Sequence, residues 1–171
     1  MKNHSPKVKT IFLFGKENPE IENEMIQKEQ SEFCDLVQMD YIDSYSNVTL
    51  DTVMALKFVS SLEKSKNLEY LFIADDDTYV HVNGLLKIVQ NPSQFGAKTK
   101  MIGFPIGGSA AIVHYPEADK FKNNEILPIV DWTYTPKYLF DEEQFPTFLS
   151  GGGYLLPMSH IPCLYQVYST Y

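Results

Sequence analysis

The stretch YLFIADDDTYVHV, Tyr70–Val82, sets three consecutive aspartates between two apolar runs. The segment EYLFIA, Glu69–Ala74, is a continuous apolar strand suited to burial on both faces. VNGLLKIVQNP, Val82–Pro92, resumes helical spacing until Pro92 stops it. Three like charges therefore stand where a strand ends and before a helix begins. In an extended segment alternate side chains share a face, so Asp75 and Asp77 can point one way while Asp76 points another. Two ionised carboxylates roughly 5 Å apart repel by about 3 kcal/mol at an effective dielectric of about 20. A divalent cation beside them removes that cost, and hard oxygen ligands suit Mg²⁺ or Mn²⁺. A solvated acidic turn is the other reading of the same residues. A calcium loop fits poorly, because its oxygen ligands continue at alternate positions into a glycine turn, and here Tyr79 and His81 occupy those positions.

Outward from this stretch the chain alternates. Val8–Phe14 (VKTIFLF) is a short β-rich run, followed after Gly15 by a polar, acidic helical stretch to Glu32 with apolar residues at Ile21, Met25, Ile26 and Phe33. Asp35–Asp43 (DLVQMDYID) is the next strand, and turn chemistry with possible caps at Asn47 and Thr49 opens a helix. Ala55, Phe58, Val59 and Leu62, extended by Leu50, Val53 and Met54, predict one buried helical stripe. Strands alternating with helices predict an α/β domain with a mostly parallel central sheet, and such sheets bind ligands at the carboxyl ends of their strands. Asp75–Asp77 lie at such an end. After Lys98 the glycine, proline and aromatic residues of KMIGFPIGG, ILPIVDWTYTPKYLF and FPTFLSGGGYLLP predict strands and irregular segments.

Composition sets the outer limits. The chain has 171 residues, 44% of them hydrophobic, and a net charge of −8, and nothing divides it, which predicts one domain over residues 1–171. The acidic balance, without a basic cluster, argues against nucleic acid and anionic membrane surfaces as partners. No segment approaches the roughly 20 apolar residues of a membrane span, and the N-terminal residues lack a signal-peptide pattern. His4, His81, His114 and His160 share no metal-ligand spacing, and Cys34 and Cys163 read as small hydrophobes that nothing pairs. Asn47 in NVT fits both a glycosylation acceptor and a helix cap. Trp132 and the aromatics from Tyr134 to Phe148 suit core packing or stacking on a sugar.

Three ordered segments carry a resemblance: DLVQMDYIDSYSNVTLDTVMAL, YLFIADDDTYVHVNGLL and FPTFLSGGGYLLP. Together they resemble the β-1,3-galactosyltransferase and β-1,3-N-acetylglucosaminyltransferase family. Fringe-type and core-1 galactosyltransferases share a motif like ADDDTYV, but SNVTLDT favours the first family. The resemblance implies a GT-A-like α/β domain, incomplete at both ends, and an inverting, metal-dependent hexosyltransferase. It implies Asp77 as metal ligand, with Asp75 beside it, and Mn²⁺ as the cofactor bridging the donor diphosphate. Asp75 and Asp76 would contact ribose and donor sugar, while Gly151, Gly152 and Gly153 let backbone approach a sugar without obstruction. Without the resemblance, the same glycines read equally well as a bulged or tightly turned strand. The implied partners are UDP-galactose or UDP-N-acetylglucosamine and a glycan acceptor on glycoprotein or glycolipid. The implied location is the Golgi lumen, with a type II anchor outside this chain.

Departures from the family pattern shape a second expectation. Asp51 stands where the family usually has lysine, and the family's acidic general-base motif is expected beyond Tyr171. Asp131, Asp141, Glu142 and Glu143 lie upstream of the glycine segment, so none matches that base. The 171 residues alone are therefore expected to bind UDP without transferring sugar. A non-catalytic relative that binds a nucleotide-sugar or a partner without turnover is the alternative.

Overall fold

The computed structural model describes residues 8–16, 20–44, 47–62, 67–107, 142 and 144–170. In chain order the elements are β1 (Phe12–Lys16), α1 (Glu20–Phe33), β2 (Leu36–Ile42), α2 (Val48–Ser61), β3 (Tyr70–Ala74), α3 (Val82–Gln90), α4 (Pro92–Phe95), β4 (Ile102–Ile106), β5 (Phe148–Pro157) and α5 (Ile161–Thr170). A 3₁₀ turn, Met158–His160, joins the last two.

The β1–α1–β2 unit is the parallel crossover that the alternation predicts, with Phe12 opposite Leu36 and Phe14 opposite Gln38. Helix α1 lies on its surface, with Ile26 half-buried and Met25 exposed, as its mostly polar sequence dictates. It ends at Cys34, whose φ of 56° is left-handed, and the Cys34 amide closes on the Gln30 carbonyl at 3.0 Å. The Gln30 side chain then accepts the Leu36 amide at 2.9 Å, which starts β2 directly after the helix. Gly15, buried in β1, sits where a Cβ would lie 2.8 Å from the Asp43 nitrogen and 2.9 Å from the Tyr41 oxygen. No side chain fits there.

The second sheet corrects the expectation of a mostly parallel arrangement. Its order is β3-β5-β4, and both of its pairings are antiparallel. Among the described strands only β1 and β2 pair in parallel. The physical reason is that the late glycine-rich strand enters between β3 and β4 in the opposite direction, which no local periodicity reports. Strand β3 is half-buried along its whole length rather than buried on both faces.

Helix α2 contacts both β1 and α5, and its buried side chains are Leu56 and Val59. Leu56 lies outside the predicted stripe. A helix with neighbours on more than one side needs apolar residues beyond a single face, which a one-stripe pattern misses. Leu56, Leu156 and Ile161, each 1% exposed, form the centre of the core, with Leu71, Ile73 and Tyr154 packed on them. Fully burying side chains of this size contributes about 1.5–3 kcal/mol each.

Two further differences from the sequence reading concern the C-terminal part and the cysteines. Residues 161–170, beyond the segments read from sequence as strands and irregular, are helical, and Pro162 is tolerated because it lies in the first turn, where its missing N–H is not needed. Pro92 likewise ends α3 by opening the short α4, which closes on Gly96 at φ 72°. Cys34 and Cys163 are free and exposed rather than buried. Among the described residues no helix is long and apolar enough to cross a membrane.

Candidate functional site

The aspartates leave β3 in a tight turn. The Thr78 amide donates to the Asp75 carbonyl at 3.1 Å, so Asp76 and Asp77 occupy the middle of a turn and not an extended segment. Strict alternation of side chains does not apply there, a correction to the sequence-based picture of Asp75 and Asp77 on one strand face. All three carboxylates are exposed. They still interact: partial desolvation, followed by repulsion from Asp77, Asp76 and Asp51, raises the Asp75 carboxyl above its ordinary value.

The glycine segment lies alongside. In the β3–β5 ladder Ala74 pairs with Gly153 and Ile73 with Tyr154, so the last glycine of the run lies opposite the end of the aspartate strand. On the other side of β5, Gly103 pairs with Tyr154 but Pro105 with Leu149. Ser150–Gly153 therefore bulge away opposite the single residue Phe104. Pro105 cannot donate to a ladder, and glycine allows the local bend. A Cβ on Gly151 would meet nothing within 4 Å, and one on Gly152 only the Thr78 and Ser150 hydroxyls, at 3.6 and 3.8 Å. This surface is open backbone beside three carboxylates.

The first turn of α2 completes the surroundings. The buried Tyr41 hydroxyl, at the end of β2, donates to Asp51 Oδ1. The Thr52 hydroxyl lies 3.4 Å from the Tyr154 hydroxyl of β5. Burial first, then the hydrogen bond to Asp51, pushes the Tyr41 phenol well above its usual range. Sequence reading singled out Asp51 as a departure but gave no sign of its tyrosine partner, because the contact joins β2 to a helix across a turn. Asn47, at the start of α2, makes no capping bond. Its side chain instead donates to the Ile42 carbonyl at 2.8 Å.

Metal fit rests on the donor set. Among the described residues no three aspartate, glutamate, histidine or cysteine side chains are gathered to hold an ion. Exposed carboxylates from one turn instead suit the mode in which one or two of them share a divalent ion with substrate phosphates. The residues present fit that mode. His81 is exposed, and His160 lies past the far end of β5. A cavity of about 540 Å³ lined by Ser60, Leu68, Met158, Ile161 and Tyr165 also lies at that far end of β3 and β5, away from the carboxylates. Glu142 is exposed, whereas His4, His114, Asp131, Trp132, Tyr134, Asp141 and Glu143 lie outside the described residues.

Fold and site define an α/β domain in which an acidic turn and a bare glycine-rich strand lie side by side. A sequence-family model described as Galactosyltransferase matches residues 1–170. The chain belongs to the galactosyltransferase family. Beta-1,3-galactosyltransferase 1 of Homo sapiens is 28% identical over 160 residues, covering 94% of this chain and 44% of that protein. The UDP-GalNAc:beta-1,3-N-acetylgalactosaminyltransferase 1 of Rattus norvegicus is 28% identical over 164 residues, with the same coverage. The lactosylceramide 1,3-N-acetyl-beta-D-glucosaminyltransferase of Homo sapiens is 31% identical over 100 residues, 56% of this chain and 26% of that protein. The chain spans less than half the length of these curated relatives.

Proposed function

We propose that this chain supplies the donor-binding part of an inverting β-1,3-hexosyltransferase. Its donor is UDP-galactose or UDP-N-acetylglucosamine, its acceptor a glycan on glycoprotein or glycolipid, and its place the Golgi lumen. The observation that supports it most is the pairing of Ala74 with Gly153, which sets the aspartate turn beside open glycine backbone. Names of the relatives support β-1,3 transfer, and they differ among themselves in the sugar moved.

The acceptor hydroxyl attacks the anomeric carbon as the bond from that carbon to the UDP oxygen breaks, and its proton passes to a base. Attack from the face opposite the leaving group inverts the centre. Asp77, with Asp75, would hold Mn²⁺, which would supply positive charge to offset that of the diphosphate leaving group. Asp76 faces ribose and sugar, and Gly151 and Gly152 leave room for the sugar ring. A Cβ on Gly153 would meet the Phe72 ring at 3.3 Å, so that glycine serves close packing against β3. No residue of this chain is assigned as the base.

Calorimetric titration of UDP with and without Mn²⁺ tests the reading. Tighter binding with Mn²⁺ is expected, and equal affinities in a folded sample overturn it. A transfer assay with both UDP-sugars over β-linked acceptors, run on this chain and on a form extended past Tyr171, then separates the enzyme, which turns over in the longer form, from a non-catalytic relative, which binds the donor without turnover in both.

A further inference from the structure

Asp51 and Thr52 are consecutive residues of one helical turn, yet their side chains reach tyrosines of two different sheets. Asp51 accepts from Tyr41 at the end of β2, and Thr52 meets Tyr154 of β5. Tyr154 directly follows the glycine run, whose three residues have no side chains to pack. Glycine loses more backbone freedom on ordering than any other residue, so the position of such a run depends on its flanks. On the C-terminal flank Tyr154 is the first side chain able to tie the run to another element. It pairs with Ile73, two residues before Asp75.

We infer that Tyr41, Asp51, Thr52 and Tyr154 form a clasp that holds the Gly151–Gly153 backbone in place beside the aspartate turn, making them positioning residues of the nucleotide-sugar site. The inference rests on the donor-binding role proposed above. The clasp acts through geometry. An amide at position 51 still accepts the Tyr41 hydroxyl, whereas alanine does not, and phenylalanine at 41 or 154 removes one oxygen from either end.

The test combines two measurements on the 171-residue protein and its Asp51→Ala, Asp51→Asn, Tyr41→Phe and Tyr154→Phe variants. UDP affinity with Mn²⁺ is expected to fall about three- to tenfold in Asp51→Ala, Tyr41→Phe and Tyr154→Phe, the range a lost hydrogen bond converts to, and to be largely restored in Asp51→Asn. Amide hydrogen exchange is expected to speed up selectively at Ser150–Tyr154 in the three weakened variants, leaving α5 unchanged. Affinities equal to the parent in all variants overturn the inference, as does loss in Asp51→Asn matching Asp51→Ala with Tyr41→Phe unaffected, which makes charge the cause. Uniformly faster exchange also overturns it by marking a general loss of stability. If the parent protein binds no UDP with Mn²⁺, the donor-binding role fails by itself, and selective exchange at Ser150–Tyr154 still decides whether the clasp exists. Should Asp51→Ala not fold, Tyr154→Phe carries both measurements.

Discussion

Ala74 and Gly153 face each other at the last rung of the β3–β5 ladder, one residue before the aspartate turn on one strand and at the end of the glycine run on the other. Segments far apart in sequence meet at that rung. Any ligand contacting both must lie across it.

Asp77→Asn is expected to abolish the gain in UDP affinity that Mn²⁺ brings. The substitution relieves repulsion on Asp75, so stability should change by less than about 1 kcal/mol or rise. Calorimetry with and without Mn²⁺, beside a urea titration, checks both parts. A large loss of stability would assign Asp77 a structural role instead.

Two glycines should respond unequally to alanine. A methyl on Gly15 meets main chain at 2.8 and 2.9 Å, which must move, so Gly15→Ala should cost about 1–3 kcal/mol. Gly151→Ala points into open space and should stay within about 0.5 kcal/mol of the parent, while weakening UDP-sugar binding more than UDP binding. Urea titrations measure the first difference and calorimetry the second. Equal binding losses for UDP and UDP-sugar would move the sugar away from Gly151.

Tyr41 should make the fold sensitive to alkali. Its phenol is held protonated in the folded state, so above a pH of about 10 the unfolded chain releases a proton that the folded chain keeps. Folding stability contributed by this group is complete below that pH and falls as pH rises, by up to about 1.4 kcal/mol per pH unit. Tyr41→Phe should flatten the decline without removing it, because burial also raises the Tyr70 phenol. Urea midpoints at pH 8 through 11 read the slope, and an unchanged slope in Tyr41→Phe would place the Tyr41 hydroxyl in water.

Cys34→Gly should stabilise the protein by up to about 1 kcal/mol. A side chain in the left-handed region costs about 1–2 kcal/mol, partly offset by the greater freedom glycine gives the unfolded chain. Thermal unfolding of both proteins under reducing conditions measures it. Cys34→Ala, which keeps the strain, is the control.

The sequence made the early elements legible because each is set by its own neighbours. The apolar runs at Leu36–Ile42 and Tyr70–Ala74 are strands, and the spacing from Leu50 to Leu62 is a helix. The aspartates do follow β3, and the SGGGYLL segment is a strand. What escaped is what depends on distant partners. The antiparallel insertion of β5, the burial of Leu56 and the Tyr41–Asp51 contact are all fixed by residues remote in sequence. The helix at Ile161–Thr170 escaped for a different reason, since Pro162 reads as a breaker unless its place in the first turn is known.

The central place of β5 also orders events during synthesis. Strands β3 and β4 do not pair with each other, and each finds its only described ladder on β5. Until Pro157 has left the ribosome, both expose unpaired N–H and C=O groups along apolar sequence, a template for wrong partners. Closing the Tyr70–Pro157 rung also requires drawing together a long intervening chain, an entropic barrier that slows formation of this sheet relative to the local β1–α1–β2 unit. The aspartate turn is thus translated early but gains its glycine neighbour among the last contacts to form, so nascent chains stalled before Phe148 should depend on chaperones to remain soluble.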